Sequence, residues 1–257
     1  MGLTLHYKLH APAGLAEAAI PALVARMHAV ATAMRRAGRV ERVGRIAADP
    51  SDLRWLGEWL QVPVRGEENC SRGVEVPVLA GHVFTVILGE GCEPLRLGLC
   101  RYPDRVPDHQ TGRTRAVRRR GWRLAGFCKT QYASLHGWDN FRHGHTAAVD
   151  LLAGLRDLGL QVQLSDEGGY WPGRDETELR RRVDQMNGIV AAFAGALKDA
   201  TDENGGAPLQ APILAHPHFE RIEADGAARH RATIAQAVAI VGRHGRVAGG
   251  LPGNSEP

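Results

Sequence analysis

Residues Leu3 to His10 alternate apolar and polar side chains without a break, with Leu3, Leu5, Tyr7 and Leu9 interleaved by Thr4, His6, Lys8 and His10. Successive side chains of a strand point to opposite faces, so this octet predicts a half-buried β-strand carrying two histidines and a lysine on its polar side. That side reads either as a ligand surface or as the wet outer face of a sheet. The apolar period then lengthens. Ile20, Leu23, Val24, Met27, Val30, Ala31 and Met34 recur at helical spacing, with Pro21 tolerable in a first turn and Gly38 as a stop. A short strand over 40–47 follows, giving an opening β-α-β unit of ferredoxin type.

Between 49 and 81 the pattern fails. Trp55, Leu56, Trp59 and Leu60 suggest one or two amphipathic turns, and Pro63, Gly66, Gly73 and Pro77 punctuate a surface excursion that holds Cys70. His82 to Leu88 is nearly continuous in apolar character, which predicts a central strand. Gly89-Glu90-Gly91-Cys92-Glu93-Pro94 breaks it, and Leu95, Leu97 and Leu99 resume alternation up to Cys100. A second excursion over 103–121 leads into a β-type run from Trp122 to Tyr132. One side of that run carries Trp122, Leu124, Gly126, Cys128, Thr130 and Tyr132; the other carries Phe127, Lys129 and Gln131.

A helix near Trp138 or Asp139 comes next, with His145 on the apolar stripe of Phe141, Val149, Leu152 and Leu155 and His143 pointing elsewhere. A histidine there reads as a satisfied core residue or a functional one. Leu160, Val162, Leu164 and Asp166 then share one face of a strand, which aims Asp166 inward at the strand's end. Glu167-Gly168-Gly169-Tyr170-Trp171-Pro172 forms a turn. Asp175 and Glu178 cap the strongest helix of the chain, marked by Leu179, Val183, Met186, Val190, Phe193 and Leu197. Asn204-Gly205-Gly206 reads as a linker, Ile234, Val238 and Val241 as one more helix, and 242–257 as a tail. These elements predict an α+β fold, a mainly antiparallel sheet with helices packed on one face. They divide as one domain over 1–202 and a C-terminal extension over 203–257.

Charge changes the picture in one place. The net charge is +4, but Arg113 to Arg123 holds six arginines and no acid, and without them the balance would be −2. The basic character belongs to one loop, which reads as a solvated insertion or, through phosphate contacts, as the one place where nucleic acid would bind. Lysine is scarce: Lys8, Lys129 and Lys198 stand against 29 arginines. An arginine cannot replace a lysine as a base or amine nucleophile, which singles out Lys129 beside Cys128. Four scattered cysteines do not make a disulfide framework and read as reduced thiols. With no long apolar span and no leader pattern, the expectation is a cytoplasmic chain without a membrane partner. Its oligomeric state stays open.

No Walker A loop, complete G-x-G-x-x-G, G-x-S-x-G, H-E-x-x-H or C-x-x-C is present, which disfavours P-loop ATPases, α/β-hydrolases, zincins and ribbon-type zinc sites. Three chemistries remain. A thiol mechanism would use Cys128 with His145 as the better proton acceptor, because Lys129 leaves the strand on the other side. A carboxylate mechanism would combine Lys129 with Glu93, Asp166 and Glu167, either to hold Mg²⁺ and a phosphoryl group or as an acid/base pair. A zinc site would draw on Cys92, Cys100, Cys128 and His145.

Gly89 to Pro94, Phe127 to Ser134 and Asp166 to Trp171 together resemble strings in a set of uncharacterised bacterial proteins. The resemblance spans 82–200 and implies no activity, only that these strings belong together. The expected function is a small-molecule-binding enzyme, a hydrolase or group transferase on a polar substrate, phosphorylated or not, with Lys129 and Gln131 meeting Glu93, Asp166, Glu167 and His145. The alternative is a non-enzymatic binding protein that uses the His6, Lys8 and His10 face or the arginine-rich loop.

Overall fold

The N-terminal alternation forms β1 (Thr4–His10), with Leu5, Tyr7 and Leu9 buried and His6 and Lys8 exposed. The computed structural model describes residues 3–64, 70–117, 120–203 and 211–230. They group into two compact units, one within Thr4–Arg174 and one made of Leu3 with the described residues from Asp175 onward.

In the first unit β1 is followed by α1 (Ile20–Arg36), β2 (Arg42–Val43), α2 (Pro50–Leu53), β3 (Glu58–Pro63), β4 (Ser71–Val76), β5 (Ala80–Ile87) and β6 (Leu95–Arg101). Then come β7 (Arg105–Asp108), β8 (Arg113–Ala116), β9 (Arg123–Lys129), α3 (Trp138–Gly154) and β10 (Gln161–Asp166). Six strands make one sheet in the order β10-β1-β9-β6-β5-β2, every neighbouring pair antiparallel. The fold is therefore α+β. The opening unit departs from a ferredoxin-type one, because β9, β6 and β5 lie between β1 and β2. A crossover split by a single strand occurs later: β9 and β10 both run against β1, so β9–α3–β10 is a parallel connection with β1 inside it.

The apolar stripes explain the layering. Leu5 and Leu9 of β1, Phe84 of β5, Leu95 and Leu97 of β6, and Phe141, Leu151 and Leu152 of α3 are fully buried, as are Ile20, Val24 and Met27 of α1. Each such side chain contributes roughly 1.5–3 kcal/mol by leaving water. A second cluster joins Leu53, Val62, Val74, Val76, Val83, Cys100, Tyr102 and Val106. The excursion over 49–81 therefore buries apolar surface through the β3–β4 hairpin instead of only skirting the domain. Buried Arg123 ties that hairpin to β9, bonding the Glu58 carboxylate at 2.8 and 3.2 Å while its guanidinium lies 4.3 Å from the Tyr102 ring centre. The arginine-rich stretch is likewise structured: β8 pairs with β7, and Arg115 with Arg72 grips the buried Asp108.

The second unit contains α4 (Glu176–Glu203), begun as expected by Asp175, whose carboxylate accepts from the Thr177 and Glu178 N–H groups at 2.8 and 2.9 Å. Gly188 of α4 meets Gly226 of the helical residues 219–230 so closely that a methyl group on Gly226 would stand 2.0 Å from the Gly188 carbonyl oxygen. The linker, final helix and tail expected over 204–206, 234–241 and 242–257 lie outside the described residues, as do Arg118 and Arg119. Among the described residues no helix is long and apolar enough to cross a membrane.

Candidate functional site

The β-type run ends sooner than its alternation suggests. β9 stops at Lys129, Thr130 turns (φ −111°, ψ −10°), and 131–136 form a 3₁₀ segment in which Gln131 and Ser134 are buried. Up to that point the alternation holds, so the register across three strands fixes which side chains share a face. Thr4 pairs with Lys129, His6 with Phe127 and Ser165, Lys8 with Ala125 and Gln163, and His10 with Arg123 and Gln161. Glu167 continues the first row, its N–H donating to the Thr4 carbonyl at 3.2 Å and its Oε2 accepting from the Thr4 N–H at 3.0 Å. The opposite face carries Leu5 beside Cys128 and Asp166.

Apart from Gln131, buried in the 3₁₀ segment, the residues expected at the site and the candidate thiol Cys128 thus divide between two faces. Lys129, Glu93 and Glu167 lie toward the polar face, and Asp166, His145 and Cys128 toward the helices. Lys129 Nζ is 3.8 Å from Glu93 Oε1, with both side chains more than a third exposed, a pair worth under about 1 kcal/mol. Backbone bonds bring the two together: Glu93 N–H donates to Lys129 O at 2.9 Å and Lys129 N–H to Glu93 Oε2 at 3.2 Å. The glycines of the preceding turn permit this. Gly91 has φ 75°, and a Cβ there would sit 2.8 Å from Ala133 Cα. Lys129 and Glu167 stand in one row with Thr4 between them, about 10 Å apart by two strand spacings. His6 Nε2 is 3.4 Å from Glu167 Oε1.

On the other face a buried polar chain runs Thr130–His145–Asp166. Thr130 Oγ1 donates to His145 Nδ1 at 2.8 Å when the ring carries its proton on Nε2, and Nε2 lies 3.3 Å from Asp166 Oδ1, an approach too bent for a full hydrogen bond. Both the imidazole and the carboxylate are fully buried. Asp166 also accepts from the Gly168 N–H at 2.6 Å and the Trp171 N–H at 2.9 Å. Burial pushes its carboxyl up, but the His145 ring and the two N–H groups together outweigh that, and it sits below the usual carboxylate range. With hydroxyl, imidazole and carboxylate all sealed, this chain fixes the 166–171 turn and the segment after β9.

Cys128 is sealed as well. Its Sγ donates to the Glu93 carbonyl at 3.1 Å, and burial pushes its pKa well above that of a free thiol, which opposes a thiolate role. The ring nitrogens of His145 face Thr130 and Asp166 instead of that sulfur. Burial raises Cys92 and Cys100 to about 12 each. Among the described residues no group of three or more His, Cys, Asp or Glu side chains is placed to hold a metal ion.

The polar face, in contrast, is open. His6, Lys8, Ala125, Gln163 and Ser165 are exposed, and Phe127 keeps 46 % of its surface in solvent. An open groove of about 480 Å³ over His6, Lys8, Phe127, Gln163 and Ser165 adjoins one of about 210 Å³ that runs on to His10, Glu58 and Arg123. Phe127, Gln163 and Ser165 were not among the expected site residues. Their signal is the same alternation that exposed His6 and Lys8, carried across β9 and β10. Comparison of the chain with protein-family models, with curated proteins and with solved structures returned no match.

Proposed function

We propose that the chain is a binding protein for a small anionic ligand of the phosphorylated class, held on the open face of β10, β1 and β9. One observation carries this reading: Lys8 faces the larger groove with no carboxylate at ion-pair distance among the described residues, while the neighbouring cations are already engaged, Arg123 by Glu58 and Lys129 by Glu93. An unspent ammonium between two histidines and a row of neutral hydrogen-bonding side chains suits a phosphate and its polar body. The size of the groove is that of a small-molecule site. The arginine-rich stretch is less suited, since Arg115 and Arg123 are committed to Asp108 and Glu58.

Thermal unfolding of the full chain with ribose 5-phosphate tests the reading. A ligand at a hundred times its Kd adds about 2.7 kcal/mol, a rise of several degrees. Lys8→Gln, by weakening the phosphate contact about tenfold, should cut that rise to about half and leave the unliganded midpoint unchanged. A rise of equal size in Lys8→Gln refutes the assignment of the face.

A second reading, hydrolysis or group transfer on the same ligand class, is favoured by the Lys129–Glu93 pair standing in one row with Glu167 at the end of the face. It predicts that Lys129→Ala abolishes turnover of a phosphorylated substrate without unfolding the chain. Unaltered turnover would remove Lys129 from the reaction.

A further inference from the structure

Phe127 sits oddly on the polar face. Its pairing partners on the neighbouring strands are His6 and, beyond it, Ser165, and along its own strand the next outward side chain is Ala125. The ring keeps 46 % of its surface in solvent, so it offers a flat apolar surface to a stacking partner. Two groups already use its surroundings as a π-surface: the His6 ring centre is 6.4 Å away and Lys129 Nζ is 5.7 Å from the ring centroid. The small Ala125 and Gly126 leave the floor beside it clear.

We infer that the ligand of the open face is a nucleoside monophosphate, its heteroaromatic base stacked on Phe127 and its phosphate at Lys8. This rests on the anionic-ligand reading above and adds the base. Lys8 is the diagonal neighbour of Phe127 across the β1–β9 pair, about 7–8 Å away between Cα atoms, which separates a stacking plane from a cation by a short spacer. Gln163 and Ser165 line the far side of the same groove. An amide and a hydroxyl each donate and accept, as the mixed edge of a base requires, whereas a second phosphate would call for further cations. The larger groove holds one ligand of this size, and the Arg123–Glu58 pair stands where the adjoining one runs on. A free mononucleotide therefore fits better than a strand. In this mode the Lys8 ammonium takes the phosphate in place of a Gly-rich loop, and stacking on an aromatic side chain tolerates any base.

Calorimetric titration of the full chain with adenosine 5′-monophosphate, ribose 5-phosphate, adenosine and a single-stranded adenylate octamer tests it. Stacking on one aromatic side chain is worth about fivefold to more than a hundredfold in affinity, so the mononucleotide should bind at least about fivefold tighter than ribose 5-phosphate. Phe127→Ala and Phe127→Leu should both erase that margin and change ribose 5-phosphate binding less than about twofold. Lys8→Gln should weaken mononucleotide and ribose 5-phosphate alike by about tenfold and leave adenosine unaffected. If mononucleotide and ribose 5-phosphate bind equally, and Phe127→Leu changes neither, the base is not part of the ligand and only the anionic-ligand reading survives. If neither binds, both ideas fall together. An octamer that binds more than tenfold tighter than the mononucleotide overturns the choice of a free nucleotide.

Discussion

Replacing Asp166 by asparagine tests the buried polar chain. The carboxylate accepts two backbone N–H groups, from Gly168 and Trp171, one on each oxygen, and lies against His145 Nε2. An asparagine keeps one acceptor oxygen and turns an amide N–H₂ toward the other donor. One buried N–H is then left facing a donor, at roughly 1–3 kcal/mol, and the bond that remains loses its charge assistance, roughly 1 kcal/mol more. The expected loss is about 3 kcal/mol, or about 6–12 °C in midpoint for a unit of this length. Urea unfolding followed by far-ultraviolet circular dichroism, repeated at several pH values, supplies the assay. The sign with pH follows from the depressed carboxyl: stability that depends on its ionisation is fully present above the ordinary carboxylate range and is lost as pH falls through the folded-state value. The gap between wild type and Asp166→Asn should therefore be constant from about pH 5 to 8 and shrink below about pH 4. A gap under about 0.5 kcal/mol at neutral pH, or one that stays the same at acid pH, would refute the account of this turn.

Three further outcomes follow from particular contacts. Arg123→Leu leaves the Glu58 carboxylate, itself 16 % exposed, without its guanidinium and unfastens the β3–β4 hairpin; a loss of about 3 kcal/mol is expected in chemical unfolding, and one under about 1 kcal/mol counts against the pair. Gly226→Ala drives a methyl into the Gly188 carbonyl and should cost about 1–3 kcal/mol, whereas an unchanged melting profile would mean the two helices do not cross there. Gly91→Ala combines a positive φ with a contact against Ala133 backbone, so it should destabilise by about 2 kcal/mol or more. Chemical unfolding of Gly91→Ala checks this, and a loss under about 0.5 kcal/mol would count against the close approach of this turn to Ala133.

The elements were legible where one period dominated. Leu5, Tyr7 and Leu9 against His6 and Lys8, and the stripe of Phe141, His145 and Val149, are local patterns, and local physics decides them. The excursion over 49–81 was not legible as part of a core, because Val62, Val74 and Val76 share their buried cluster with Cys100, Tyr102 and Val106, residues that no window around them contains. The end of β9 was missed for a related reason. Thr130 satisfies its hydroxyl on His145, a partner supplied by α3, and that tertiary bond accompanies a turn at a residue whose type suits a strand.

The candidate site was misjudged at the level of faces, and the cause is instructive. Lys129 and Asp166 both sit at strand ends beside β1, and proximity along the strand axis suggested one cleft. Yet Lys129 pairs with Thr4, whereas Asp166 pairs with Leu5, one residue further on. Because side chains alternate, that single step sends the ammonium and the carboxylate to opposite sides of the sheet. The same step separates their roles. The carboxylate goes where the His145 ring and fixed N–H groups hold it ionised against the effect of burial, and the lysine goes where water reaches it. A search for function on this scaffold therefore belongs on the side that Lys8 and Phe127 share, and substitutions among Thr130, His145 and Asp166 should report first on stability.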